Sequence, residues 1–158
     1  MSNHFDSQGN AHMVDVSAKD ITHREALATA DVTMQPDTAV MIQSGAAKKG
    51  DVLGIARIAA IQATKLTQQL IPLCHSIPIE SVSVEFQWPT ETSLRCCVRV
   101  ATSGKTGVEM EAMTAASVAA LTVYDMVKSV DREVAIGPVV LQEKRGGKSG
   151  VFRRIEPK

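Results

Sequence analysis

The sequence predicts an α+β fold in which two long helices cover one face of a four-stranded antiparallel sheet. Three observations lead there. Two alanine-rich stretches, Val52 to Leu70 and Thr106 to Val130, carry helix-favouring residues over about five turns or more. Between them, Ser81 to Ala101 alternates apolar and polar residues around a turn, the pattern of an antiparallel hairpin. A strand-like segment precedes the first helical region and another follows the last. The order is therefore strand, helices, strand, strand, helix, strand.

Taken in order, residues 1 to about 12 are polar and without periodicity, which predicts disorder. His12 to Ser17 is short and mixed, and reads as either an edge strand or an arm over a neighbour. From Glu25 to Met34, Ala26, Ala28, Ala30 and Val32 alternate with Leu27, Thr29, Asp31 and Thr33, giving a strand with two moderately apolar faces. Pro36 suits the first turn of a short helix through about Gln43, stopped by Ser44-Gly45. Asp51 is a good N-cap for the next helix, where Val52, Ile55, Ala56, Ala59, Ala63, Leu66 and Leu70 form an apolar stripe that ends before Pro72.

Leu73 to Pro78 is a loop stiffened by a proline on each side. Val82, Val84, Phe86 and Trp88 then share one strand face, opposite Ser81, Ser83, Glu85 and Gln87. After the turn at 89–93, Leu94, Cys96, Val98 and Val100 alternate with Arg95, Cys97, Arg99 and Ala101. The last strand spans about Val134 to Leu141, with Gly137-Pro138 pointing to a bulge or an edge. The tail from Glu143 to Lys158, rich in Gly, Lys and Arg, reads as mobile. This order is the ferredoxin-like arrangement, and 158 residues suit a single domain spanning 1–158.

Composition narrows the function classes. The 17 basic and 17 acidic residues balance, so no global field selects a polyanion, although local clusters can still hold a small anion. Only 3% of residues are aromatic, and Phe86 and Trp88 share the apolar strand face, so the exposed stacking platform of an RNA-binding sheet is missing. No transmembrane-length run or signal-peptide pattern occurs, and three cysteines make no disulfide framework, so a cytoplasmic protein without membrane or nucleic-acid partners is expected.

The stretch from Gly104 to Val130 carries most of the candidate chemistry. Glu111 and Asp125 lie fourteen residues apart and fall within ~40° of each other around a helix axis, with Lys128 within side-chain reach of Asp125. An Asp near a helix C-terminus opposes the dipole. The Asp125–Lys128 pair reads equally as a structural ion pair and as an active-site acid/base pair. Glu109 and Glu111 would point about 200° apart, so both face one pocket only if the helix begins between them.

Gly104-Lys105-Thr106-Gly107 and Gly146-Gly147-Lys148-Ser149-Gly150 suggest phosphate loops, but the Walker spacing is absent, with Arg99 and Gln142 where glycine is needed. A P-loop enzyme is thereby rejected. The first loop is either an anion site or a plain glycine turn, and the second either an anion site or a solubilising tail. His75 beside Cys74 is an acid/base or substrate candidate, though a lone loop histidine is more often neither. Cys74, His75, Cys96 and Cys97 lack the ligand spacing of a zinc site. Met110, Met113 and Met126 read as core filler, and Lys48-Lys49 as a solvated pair.

Several stretches together are more specific than any one motif. They are His12 to Ser17, Lys49 to Val52, Leu70 to His75, Thr106 to Ala112, Thr114 to Thr122, Tyr124 to Met126 and Gly146 to Gly150. The set resembles the cyclic pyranopterin monophosphate synthase family, the C proteins of molybdenum cofactor biosynthesis, over roughly His12 to Gly150. The resemblance implies a lyase that converts 3′,8-cyclo-7,8-dihydroguanosine 5′-triphosphate to cyclic pyranopterin monophosphate and releases pyrophosphate. It also implies a ferredoxin-like subunit in a homohexamer, a trimer of dimers, with active sites between subunits.

On the matching positions, the resemblance implies Asp125 and Lys128 as the acid/base pair and Lys49 as a second essential lysine. Leu73, Cys74, His75, Glu109, Met110 and Glu111 match substrate-contacting positions, and Lys19, Arg24 and Lys148 match triphosphate contacts. No redox cofactor or resident metal is implied. Mg²⁺ can accompany the triphosphate, without a dedicated carboxylate cage. Cys96-Cys97 belongs to no motif of the family. The competing reading is a non-catalytic nucleotide-binding or regulatory module of the same fold.

Overall fold

Alternating apolar residues separate the two faces of the sheet, and the helices follow from which face is apolar. The structure is a computed structural model that describes residues 4–155. Its elements are β1 (Thr22–Thr33), α1 (Pro36–Gln43), α2 (Val52–Leu70), β2 (Ser81–Thr90), β3 (Ser93–Gly104), α3 (Glu109–Val127), β4 (Ala135–Arg145) and β5 (Phe152–Arg153). The sheet is antiparallel throughout, in the order β2-β3-β1-β4-β5. It has five strands where four were expected. The fifth pairs Phe152 with Lys144 and Arg153 with Glu143, within the segment read as a mobile tail. Two residues are too few to show a strand period in a sequence.

Register carries the two-sided pattern across strands. Ala26, Ala28, Ala30 and Val32 of β1 stand opposite Val100, Val98, Cys96 and Leu94 of β3, and all eight are buried. This is the face that α2 and α3 cover. Each fully buried valine there contributes about 1.5–3 kcal/mol of transfer free energy. The opposite face carries Leu27, Thr29, Arg95, Cys97 and Arg99, with Ser83, Glu85 and Gln87 of β2, around a shallow hollow. Its arginines are occupied: Arg95 donates to both Asp31 carboxylate oxygens at 2.7 and 2.8 Å, and Arg99 to Glu25 at 2.7 Å.

The helices pack through small residues. Ala56, Ala60 and Ala63 of α2 and Ala112, Ala115, Ala116, Ala119 and Ala120 of α3 are all buried. Asp51 is the N-cap of α2, its Oδ1 accepting from Gly54 N at 2.8 Å, as the sequence predicts. β4 carries a register shift opposite Gly137-Pro138 and a second near Gln142, beyond which it continues to Arg145. The second irregularity breaks the alternation and explains why the strand reads as ending at Leu141.

His12 to Ser17 forms neither an edge strand nor any other regular element. It is an arm folded against its own subunit. Within 4–12, where disorder was expected, Asp6 Oδ1 accepts from Gln8 N and Asn10 N, and His12 N donates to His4 O. Residues 1–3 and 156–158 lie outside the described residues.

Candidate active site

The two ends of α3 gather the candidate residues into separate groups. At its C-terminal end, Lys128 Nζ lies 2.6 Å from Asp125 Oδ1, and Lys49 Nζ lies 3.7 Å from Oδ2. Lys49 also donates to the Asp125 main-chain oxygen at 2.6 Å, so it meets the negative end of the helix as well as the side chain. Lys49 reaches this place because Gly50, at φ +97°, turns the chain sharply between it and the Asp51 cap. The two lysines resolve the dipole conflict noted at Asp125. Hydrogen bonding from Lys128, then the charges of Lys128 and Lys49, hold the Asp125 carboxyl below its usual range, and the same bond raises Lys128. The Asp125 side chain is nevertheless 59% exposed.

At the N-terminal end of α3 the carboxyl Glu111 is buried, beside a partly open cavity. Leu73, Cys74, His75, Glu109, Met110, Glu111 and Lys19 line one cavity of about 320 Å³, together with Val14, Val16, Ile77, Thr106 and Gly107. Glu111 is only 3% exposed, and burial raises its carboxyl pKa, with the Glu109 charge adding to the effect. Burial also pushes up the Cys74 thiol, followed by the charge of Glu111. His75 Nε2 lies 2.8 Å from the Val14 main-chain oxygen, so Nε2 carries the proton and the ring is held in place by the arm. Glu109 and Glu111 both line the cavity although α3 already begins at Glu109. The expectation that they could share one pocket only if the helix started between them is thereby corrected: the cavity wraps around the helix end.

A third group adjoins the second. Lys19, Arg24 and Lys148 line a hollow of about 750 Å³ with Ala18, Asp20, Thr22, Gly147 and Ser149. Lys19 borders both spaces, so the cavity beside Glu111 and the basic hollow are neighbours. The Gly104–Gly107 loop is a turn whose own cation is engaged: Lys105 Nζ donates to Ser17 O at 2.6 Å, while Arg24 donates to the Gly104 and Lys105 oxygens. Met110 is partly exposed and lines the cavity, whereas Met113 and Met126 pack against the core. Among the described residues no group of three or more His, Cys, Asp or Glu side chains is arranged to hold a metal ion.

All twelve residues singled out in the sequence thus fall in these groups, but the single chain does not unite them. Glu111 and Asp125 are fourteen residues apart on one helix, a separation of about 21 Å. Val14, Val16, Thr106 and Ser149 lie within stretches the sequence marked, but none was singled out individually as a site residue. The first two contribute through an arm held by bonds to its main chain, which leave no trace in side-chain pattern.

An α+β chain with an ion-paired carboxylate at one helix end and a buried carboxyl beside a basic hollow at the other has the groups for proton transfer on a small anionic substrate. The chain belongs to the MoaC family, whose model matches residues 13–147. It is 55% identical over 163 residues to a cyclic pyranopterin monophosphate synthase of Rhodopirellula baltica, covering 97% of this chain and 93% of that relative. It is 52% identical over 153 residues to the protein of the same name from Brevibacillus brevis, covering 97% and 96%.

Proposed function

We propose that this chain is a cyclic pyranopterin monophosphate synthase, a lyase converting 3′,8-cyclo-7,8-dihydroguanosine 5′-triphosphate to cyclic pyranopterin monophosphate and pyrophosphate. The observation that carries the chemistry is the Asp125 carboxylate held between two amines, 2.6 Å from Lys128 and 3.7 Å from Lys49, in a chain whose relatives bear that name. Opening one ring and closing another moves several protons, work for a carboxylate and an amine held together. Loss of pyrophosphate builds negative charge on the leaving group, which Lys19, Arg24 and Lys148 are suited to stabilise. Mg²⁺ would travel with the triphosphate oxygens.

The working site is formed between copies of the chain in this reading. One end supplies Lys49, Asp125 and Lys128. The other supplies the cavity of Leu73, Cys74, His75, Glu109, Met110 and Glu111, with the basic hollow beside it. Their separation of about 21 Å along one helix supports this, and so does the exposure of Asp125. A homohexamer built as a trimer of dimers, located in the cytoplasm, is the assembly we infer. The ferredoxin-like description is supported by the strand order β2-β3-β1-β4 and by crossings through α2 and α3.

Incubation with the cyclic guanosine triphosphate intermediate is the test. The expected result is pyrophosphate release at the rate of pyranopterin formation, lost in Asp125→Asn while folding and assembly persist. A chain that retains the nucleotide unchanged would instead be a binding module, and the proposal would fall.

A further inference from the structure

We infer that Lys144 is a positioning residue that sets the turn from Gly146 to Gly150, and with it Lys148, against the basic hollow. The inference rests on the proposed triphosphate substrate. Lys144 lies on β4 opposite the buried Ala26, so its side chain leaves the sheet on the helix-covered side. Its Nζ donates to Ser149 Oγ at 2.6 Å and lies 3.5 Å from Glu109 Oε1 at the start of α3. One ammonium thus ties the basic hollow, lined by Ser149, to the neighbouring cavity, lined by Glu109.

The turn it holds is shaped against β1. Gly146 and Gly147 have φ of +97° and +71°, and Gly150 N donates to Gly147 O at 3.1 Å. A Cβ on Gly146 would fall 2.0 Å from the His23 main-chain oxygen, and one on Gly147 would fall 1.6 Å from Arg24 Nη1. The chain therefore lies directly on β1 and on the guanidinium that borders the hollow, and β5 pairing closes its far side.

The lysines divide the work. Lys144 is engaged by Ser149 and compensated by Glu109, whereas Lys148 and Lys19 make no side-chain hydrogen bond or ion pair among the described residues and border the hollow. Two uncompensated ammonium groups and Arg24 suit a polyphosphate. Lys144 fixes where one of them stands.

Steady-state kinetics of the full-length protein test this with Lys144→Met, Ser149→Ala, their combination and Lys144→Arg, using inorganic tripolyphosphate as a competing anion. Lys144→Met is expected to raise KM and weaken tripolyphosphate inhibition about tenfold, with kcat within about twofold of the unmodified chain. Ser149→Ala should shift both in the same direction, the combination should be no worse than Lys144→Met, and Lys144→Arg should restore most of the loss. Effects of the two substitutions that multiply would mean Lys144 meets the anion itself, and would overturn the inference. So would unchanged KM and inhibition with only a lower Tm, while the proposed reaction stood. An unmodified chain that releases no pyrophosphate would overturn both.

Discussion

The two ends of α3 hold carboxylates on nearly the same bearing around the helix, yet they meet opposite environments. Glu111 is buried under the arm and the proline-bracketed loop, and its carboxyl is pushed toward the neutral form. Asp125 stands 59% exposed between two lysines and is held in the charged form. One end of the helix is covered by other parts of the chain, and the other stands in solvent. A carboxylate so stabilised in its charged form is a weak base. A second copy closing over Asp125 would strip water from it and move its pKa toward the working range. The difference teaches that the two ends of one helix can hold a carboxylate in opposite protonation tendencies, and in the proposed reading each end is a half-site.

The largest expected effect falls at the open end. Asp125→Asn should lower turnover by about 10²–10⁴-fold, measured as pyrophosphate release, with the circular dichroism spectrum and Tm preserved. A variant with near-normal turnover would make the Asp125–Lys128 pair a structural ion pair and erase the contrast.

The closed end should answer differently, through pH as well as activity. Burial lifts the folded-state pKa of Glu111 above the ordinary 4.5, so the native state binds the extra proton. Its contribution to stability is fully present below about 4.5 and is lost as pH rises through the raised folded value. Glu111→Gln should flatten this part of the stability curve, measured by denaturant unfolding from pH 4 to 8, and raise KM by about tenfold. Asp125 acts in the other direction: its stabilising effect is present above 3.8 and is lost as pH falls through its lowered value. An unchanged pH profile in Glu111→Gln would show that the carboxyl is not desolvated.

The smallest effect concerns the support beneath the open end. Asp51→Ala removes the cap on Gly54 N and should cost about 1 kcal/mol in denaturant unfolding, with a secondary loss of activity through the adjoining Lys49. A loss well above that would mean that Asp51 also holds the Lys49 turn in place.

Much of this contrast was legible in the residues, for identifiable reasons. The extent and Asp51 cap of α2, and the alternation from Ser81 to Ala101, are local patterns that the structure follows. The same holds for the bearing of Glu111 relative to Asp125, which depends only on helical geometry. The buried face of α2, by contrast, is Val52, Ala56, Ala60, Ala63, Thr64 and Thr67, with Ile55 and Leu70 of the expected stripe exposed. What was hidden depends on long-range register or on main-chain atoms. Lys144 gains its partners from pairing with Ala26, and the arm is held by the Val14 and Ser17 oxygens, which every residue type carries. The start of α3 at Glu109, rather than nearer Thr106, was equally invisible, because Val108 caps it without a side-chain bond.

Mixed assemblies of Asp125→Asn and Glu111→Gln subunits, co-expressed with different tags and purified for both, measure whether the half-sites join across copies. With random mixing, about a quarter of the sites would pair an intact Glu111 end with an intact Asp125 end. At substrate well below KM, activity should then rise about two- to threefold above the Glu111→Gln parent, itself at about a tenth of the unmodified chain, and far above the Asp125→Asn parent. Mixed assemblies no more active than the two parents would contradict a site shared between subunits.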